Sequence, residues 1–133
     1  FDGTGCNARD FQPDAETDKS ISNVLKLHLL AGGGINNRRN DVPGQISLYK
    51  RGIGAETEND ALAILRQVGG DLSQQTVPMR EMVEEVYEEG DLLYIIGFSR
   101  GASAARKFVS EISEEGLKTA SNGHVEKPSV QFL

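Results

Sequence analysis

Residues 97–101 read Gly-Phe-Ser-Arg-Gly, which is the G-x-S-x-G spacing of a nucleophile elbow. In that turn a serine sits in strained backbone between a strand and a helix, and its hydroxyl projects from the edge of the sheet. Gly97 and Gly101 suit the turn because the residues two before and two after the serine come into contact. The N-terminus of the following helix favours negative charge that develops beside Ser99. The motif therefore predicts a serine nucleophile, and the alternative is a tight turn in which Ser99 only caps the helix.

The residues on both sides of the motif predict the elements that an elbow needs. Residues 92–96 are a continuous apolar run, typical of a strand that is buried on both faces in a parallel sheet. Small residues follow Ser99 and open a helix that we expect to run to about Glu115. In a chain with 15 glycines among 133 residues the bare pattern is weak, so this context carries the interpretation.

The rest of the chain alternates between helical and strand patterns. The predicted helices cover 20–31, 59–68 and 77–89, and the predicted strands cover 46–49 and 128–133. Ser20 is predicted to cap the first helix, Pro78 to lie in the first turn of the third, and Gly90 to end the third. Residues 32–44 are predicted to be an exposed loop. The alternation indicates an α/β architecture with crossover connections.

Four segments of the chain together resemble a known family. They read FDGTGCN at 1–7, SNV at 22–24, YKRGIG at 49–54 and GFSRGASAAR at 97–106. In this order they are similar to the α/β-hydrolase family catalogued as domain of unknown function 2235, which includes phospholipase effectors of bacterial type VI secretion systems. The resemblance spans nearly the whole chain. Cys6 departs mildly from the family's usual spacing between glycine and asparagine, and the family continues well beyond Leu133.

The resemblance implies a mostly parallel, three-layer α/β-hydrolase sheet with a nucleophile elbow. It implies a serine hydrolase of carboxylic esters, phospholipase-like or lipase-like, that acts through an acyl-enzyme on Ser99. The backbone N–H of Arg100 is the expected first oxyanion donor, and the loop that holds Gly3 and Thr4 is expected to supply the second. The alternative for that loop is an exposed turn capped by Asp2.

The same resemblance implies a substrate, a location and a partner for the protein. The expected substrate is a lipid or a small ester. Because no signal peptide is visible, we expect synthesis in the cytoplasm and export by a type VI secretion system. A secretion protein or an immunity protein is the expected partner.

Neither histidine of the chain is where a catalytic base is expected. His28 falls on the apolar face of its predicted helix, typical of a core or boundary residue. His124 precedes the last predicted strand, at the opposite edge of a parallel sheet from Ser99. In this fold the triad order is serine, acid, histidine. We therefore expect residues 1–133 to be the N-terminal, nucleophile-bearing portion of a single α/β-hydrolase domain, a truncated piece with negligible esterase activity alone. Sequence is expected upstream of Phe1, and a catalytic aspartate in the loop after the last predicted strand.

The composition excludes several classes of function. The chain carries 14 lysines and arginines against 20 aspartates and glutamates, a net charge of −6, so it offers no basic face to nucleic acid. The longest apolar run, 92–98, is far shorter than the roughly 20 residues of a membrane span. Cys6 is the single cysteine, which excludes an intrachain disulfide and a cysteine zinc site. We expect no metal and no cofactor.

Two other interpretations stay open. Asp2-Gly3-Thr4 matches the end of the D-x-D-G-T motif of haloacid-dehalogenase-type phosphatases, in which Ser99 would bind phosphate and the residue before Phe1 would be an aspartate. Phosphate binding does not require glycine on both sides of the serine, and this favours the ester hydrolase. The missing acid and base also fit a catalytically incomplete fragment or an interaction module.

Overall fold

The computed structural model describes residues 1–3, 6, 21–35, 37, 42–52 and 71–132. In chain order, its helices and strands are α1 (Asn23–Leu30), α2 (Ser73–Glu84), β1 (Leu92–Ile95), α3 (Arg100–Glu115), β2 (Leu117–Lys118), β3 (Val125–Glu126) and β4 (Ser129–Phe132). The helix predicted over 59–68 lies outside the described residues. None of the described helices is both long and apolar enough to span a membrane.

The strand that precedes the serine motif pairs in parallel with the last strand. Leu92 lies opposite Ser129, and the register continues to Ile95 opposite Phe132. This confirms the expectation that the strand near 128–133 runs parallel to the apolar strand and beside it. β2 and β3 form a separate antiparallel pair between α3 and β4. The arrangement is α/β and compatible with an α/β-hydrolase-like fold, and the three-layer arrangement stays a prediction.

The main core lies between α3, α2 and one face of β1. Its fully buried or nearly buried members include Ala104, Ala105, Phe108, Ile112, Met79, Val83 and Ile95. Those of α3 recur at spacings of three and four, so they share one face of the helix. Burial of a side chain such as Phe108 contributes about 2–3 kcal/mol. This packing fixes α3, and therefore its N-terminus, against β1.

The strand β1 is covered on one face only, which corrects the prediction that it is buried on both. Leu93 and Ile95 face the main core, whereas Leu92 and Tyr94 are 59% and 65% exposed. Because successive side chains of a strand point to opposite faces, the two exposed residues share the outer face. The helices α2 and α3 cover only the inner one.

The first described helix begins later than predicted. Ser22, and not Ser20, is its N-cap, and the Ser22 hydroxyl accepts a hydrogen bond from the N–H of Leu25 at 3.0 Å. Such a cap satisfies one of the N–H groups that a helix start leaves without a partner. Ile21, Leu25 and Tyr49 form a second, smaller core around this helix.

The helix α2 spans Ser73–Glu84, where the prediction was 77–89. Its start depends on Asp71, whose carboxylate accepts from the N–H of Ser73 at 2.9 Å. Pro78 therefore lies in the interior of the helix, where it leaves a carbonyl one turn earlier without its usual donor. Gly90 has φ of +90° but follows the helix end by several residues, so it shapes the next turn and does not cap the helix.

The strand predicted over 46–49 is absent, since residues 45–52 form no regular element. Hydrogen bonds to other parts of the chain, including the following two, hold the segment in place. The N–H of Asp2 donates to the Lys50 carbonyl at 2.9 Å, and the N–H of Tyr49 donates to Oδ1 of Asn37 at 2.8 Å. Residues 45–52 therefore lie beside the first residues of the chain.

Candidate active site

Ser99 occupies the turn between β1 and α3 in an unusual backbone conformation. Its φ is 55° and its ψ is −128°, a region that L-residues rarely adopt and that costs about 1–3 kcal/mol. Ser99 directly precedes α3, but its hydroxyl makes no capping hydrogen bond. An ordinary serine cap has extended backbone and accepts from an N–H of the first turn. Ser99 is also exposed, so its hydroxyl is accessible to solvent.

Gly97 and Gly101 form the close contacts of this strand-turn-helix corner. A Cβ on Gly97 would lie 2.6 Å from the Cα of Ala102 and 2.7 Å from the carbonyl oxygen of Gly101. A Cβ on Gly101 would lie 2.5 Å from the carbonyl oxygen of Phe1. Real Cβ atoms essentially never approach backbone this closely. The two positions therefore need glycine for the contacts across the corner.

The first residues of the chain lie alongside the corner. The Phe1 nitrogen donates to the Ile96 carbonyl at 2.7 Å, and the N–H of Phe98 donates to the Phe1 carbonyl at 3.2 Å. These two bonds have the pattern of a parallel ladder. They bring Gly3 so close that a Cβ on it would lie 3.3 Å from the Cβ of Ser99. Gly3, the described residue of the predicted oxyanion loop, thus lies next to Ser99.

The predicted oxyanion donors differ in what they contact. Arg100 is the first residue of α3, so its N–H lies at the positive end of the helix, next to Ser99. The N–H of Gly3 donates to Oδ1 of Asp2 at 2.7 Å, which directs it toward that side chain. Thr4 lies outside the described residues. The assignment of these three residues to an oxyanion hole stays a prediction.

Asp2 is the residue of this site that the sequence reasoning missed. Its side chain is buried, at 3% exposure, where an exposed capping turn was the alternative considered. Besides the N–H of Gly3, its carboxylate accepts hydrogen bonds from the hydroxyls of Tyr49, at 2.6 Å, and Ser22. We call Asp2, Gly3, Ser22 and Tyr49 the Asp2 cluster. The available signal was that Asp2, Ser22 and Tyr49 belong to three different segments of the family resemblance.

His28 is a core residue, as predicted. Its Nε2 donates to the Gly34 carbonyl at 2.9 Å, and since a carbonyl can only accept, Nδ1 of the neutral ring accepts from the Ser47 hydroxyl at 2.8 Å. The ring fills the space that a Cβ on Gly33 would occupy. Burial lowers the pKa of His28 below its ordinary value, although the bond to Gly34 acts in the opposite direction. With both nitrogens engaged, His28 is not placed to accept a proton from Ser99.

His124 is exposed and lies in the turn between β2 and β3, beyond the C-terminal end of α3. The 16 residues of α3 separate it from Ser99 by about 24 Å of helix length, at about 1.5 Å per residue. Its backbone N–H donates to the side chain of Asn122 at 2.8 Å, which shapes the turn. Among the described residues, no cluster of histidine, cysteine or carboxylate side chains could hold a metal ion.

An open cleft of about 1020 Å³ lies beside β1, between this strand and the segment at 45–49. Leu92, Tyr94 and Ile96 line one side of it, and residues of α1 and 45–49 line the other. Its lining includes Phe1 but not Ser99. The cleft therefore borders the corner without containing the serine.

Comparison with known proteins gave no match among curated proteins or among solved structures. A family model does match. It is described as the type VI secretion system (T6SS) phospholipase effector Tle1-like catalytic domain, and it covers residues 1–130. Because that range is nearly the whole chain and includes the strand-turn-helix corner and the Asp2 cluster, the chain belongs to the T6SS Tle1-like phospholipase effector family.

Proposed function

We propose that this protein hydrolyses carboxylic esters of phospholipids by acyl transfer to Ser99. Membership of the Tle1-like family supports a phospholipase-like or lipase-like function. The observation that carries the serine mechanism is the backbone of Ser99, which is held at φ of 55° with an exposed hydroxyl that caps nothing. A conformation this costly persists only where the surrounding structure imposes it, and it is concentrated at active sites.

In the proposed reaction, Oγ of Ser99 attacks the ester carbonyl carbon and its proton passes to a base. The carbonyl oxygen becomes an oxyanion beside the N-terminus of α3, where the N–H of Arg100 donates to it. Because the Gly3 N–H donates to Asp2, we propose that the second donor is the N–H of Thr4 in the same loop. When this intermediate collapses, the bond to the leaving oxygen breaks, the base returns its proton to that oxygen, and the alcohol departs while the acyl group stays on Ser99. Water then attacks the acyl-enzyme and releases the fatty acid.

The base of this reaction is not one of the two histidines in these 133 residues. His28 uses both ring nitrogens in the small core, and His124 lies at the far end of α3. We propose that the acid and the histidine come from residues other than these 133, in the order serine, acid, histidine. Residues 1–133 would then be the nucleophile-bearing portion of one domain.

The family also bears on substrate and location. A T6SS effector family is consistent with a lipid substrate and with secretion through a type VI system. We propose that the protein is exported by this route and that an immunity protein protects the producing cell. We assign no residue to the contact with the immunity protein.

The test is Ser99→Ala in the protein expressed from its complete gene, assayed on phospholipid vesicles and on a short nitrophenyl ester. Loss of a triad serine removes about six orders of magnitude in turnover, so we expect no measurable hydrolysis. Ser103→Ala is the matched control because Ser103 is an exposed serine one turn further along α3, and it should keep full activity. A fluorophosphonate probe should label Ser99 and no other residue. Hydrolysis by Ser99→Ala within tenfold of the parent would contradict the proposal, as would hydrolysis of phosphate monoesters alone.

A further inference from the structure

Asp2 lies where the segments that carry the family resemblance converge, directly beside the corner that holds Ser99. We propose that Asp2 is a positioning residue for this site, whose carboxylate fixes the orientation of the Gly3 peptide beside Ser99. The inference rests on the proposed function of Ser99. It assigns Asp2 no contact with the substrate.

The carboxylate of Asp2 is held by donors from three parts of the chain. Oδ1 accepts from the N–H of Gly3 at 2.7 Å, and Oδ2 accepts from the hydroxyls of Tyr49, at 2.6 Å, and Ser22. Both carboxyl oxygens of Asp2 therefore act as acceptors. Ser22 also caps α1 and Tyr49 belongs to the small core, so the carboxylate is anchored to two fixed elements.

The backbone around Asp2 is fixed as well. The N–H of Asp2 donates to the Lys50 carbonyl at 2.9 Å, and the carbonyl of Asp2 lies against Gly101 at the start of α3. The N–H of Cys6 donates back to the Gly3 carbonyl at 3.1 Å and closes the turn. The bond from the Gly3 N–H to Oδ1 adds a further restraint on the rotation of the peptide that joins Asp2 to Gly3.

This rotation matters because Gly3 lies close to Ser99. A Cβ on Gly3 would lie 3.3 Å from the Cβ of Ser99 and 2.7 Å from the ring of Phe98. A small turn of the Gly3 peptide would therefore change how Gly3 packs against Ser99 and Phe98. A misplacement of about 1 Å at an active site can cost on the order of a hundredfold in rate.

Two substitutions of the Asp2 side chain should have different effects on the rate. Asp2→Ala removes every acceptor, and we expect kcat to fall about a hundredfold while KM changes less than threefold, because the oxyanion forms only after the substrate is bound. Asp2→Asn keeps an oxygen that can accept from the Gly3 N–H. Its amide nitrogen would face the hydroxyls of Ser22 and Tyr49, which can accept hydrogen bonds as well as donate them. We expect it to restore kcat to within about fivefold of the parent. A boronic acid that mimics the tetrahedral intermediate should lose affinity with Asp2→Ala and keep it with Asp2→Asn.

Thr119→Ala is the matched control for lost stability. Thr119 is also a buried polar residue, at 4% exposure, and its hydroxyl donates to the Asn122 side chain at 2.7 Å, beyond the far end of α3. This variant should lower the melting temperature without changing kcat. If Asp2→Ala does not fold, Tyr49→Phe tests the same anchor by removing one donor, and we expect kcat to fall about fivefold with KM unchanged.

The outcomes of the two tests are distinguishable. If Ser99→Ala keeps its activity, the proposed function is wrong. If Ser99→Ala is inactive but Asp2→Ala and Tyr49→Phe both keep kcat within twofold, only the positioning role of Asp2 is wrong. The role is also wrong if Asp2→Asn fails to restore kcat, or if Thr119→Ala loses as much kcat as Asp2→Ala.

Discussion

The strain at Ser99 can be measured by comparing two substitutions that both remove its hydroxyl. Ser99→Ala keeps the Cβ that opposes φ of 55°, whereas Ser99→Gly removes it. Relief of the strain should stabilise the glycine variant by about 1–3 kcal/mol. The extra freedom of glycine in the unfolded chain costs about 0.5–1 kcal/mol relative to alanine. We therefore expect Ser99→Gly to be more stable than Ser99→Ala by about 1 kcal/mol, or about 4 °C in Tm for a chain of this size.

The assay is urea or thermal unfolding followed by circular dichroism, with the same two substitutions at Ser103 as the control. Ser103 lies in α3, where glycine is less stable than alanine by about 1 kcal/mol. The order of glycine and alanine should therefore reverse between positions 99 and 103. A glycine variant at position 99 that is no more stable than the alanine variant would show that the Ser99 backbone is not strained, and the argument for an imposed nucleophile conformation would be lost.

Three other substitutions test separate parts of the structure. Gly101→Val should destabilise the fold by about 2 kcal/mol or more, since its side chain would meet the carbonyls of Phe1 and Asp2, and an unchanged Tm would contradict the contacts at the corner. Burial lowers the pKa of His28 from 6.5, so its neutral form adds stability that is complete above pH 6.5 and is lost as the pH falls through its folded pKa. His28→Gln should flatten the fall in unfolding free energy between about pH 7 and 5, and an unchanged slope would refute this. Arg80→Met should cost about 1 kcal/mol because Arg80 joins Glu84 to Glu115 and donates to the Gly116 carbonyl at 2.7 Å, and Lys118→Met, at an exposed lysine, should not.

The strand-turn-helix corner could be predicted because it is local. Gly97, Ser99 and Gly101 lie within five residues, and a Cβ on Gly97 would meet its near neighbours Gly101 and Ala102. The close contacts of Gly101 are with Phe1 and Asp2, which are distant in sequence and were not predicted. The parallel neighbour of β1 followed from the crossover rule, since one helix and one short hairpin join the two strands. The buried state of His28 followed from its place on the apolar face of α1.

Other features were not predicted from the sequence, because they depend on residues that are distant in sequence or on weak local signals. The burial of Asp2 depends on Ser22 and Tyr49, which are 20 and 47 positions away. An apolar run such as 92–96 shows that a strand can be buried on both faces, but not whether another element covers the second one. The start of α2 was missed because Pro78 suggested a first turn, whereas the helix begins at Ser73, whose N–H donates to the side chain of Asp71.

The two cores are separate, and this affects the order in which parts of the molecule unfold. Ile21, Leu25 and Tyr49 form the small core around α1, and a helix of eight residues is too short to persist without such packing. Local unfolding of this unit would release Asp2 from both hydroxyls while α2, α3 and β1 stay folded. We expect the amides of α1 to exchange with deuterium at a lower free energy than those of α3. On heating, the environment of Ser99 would therefore lose its order before the main core melts.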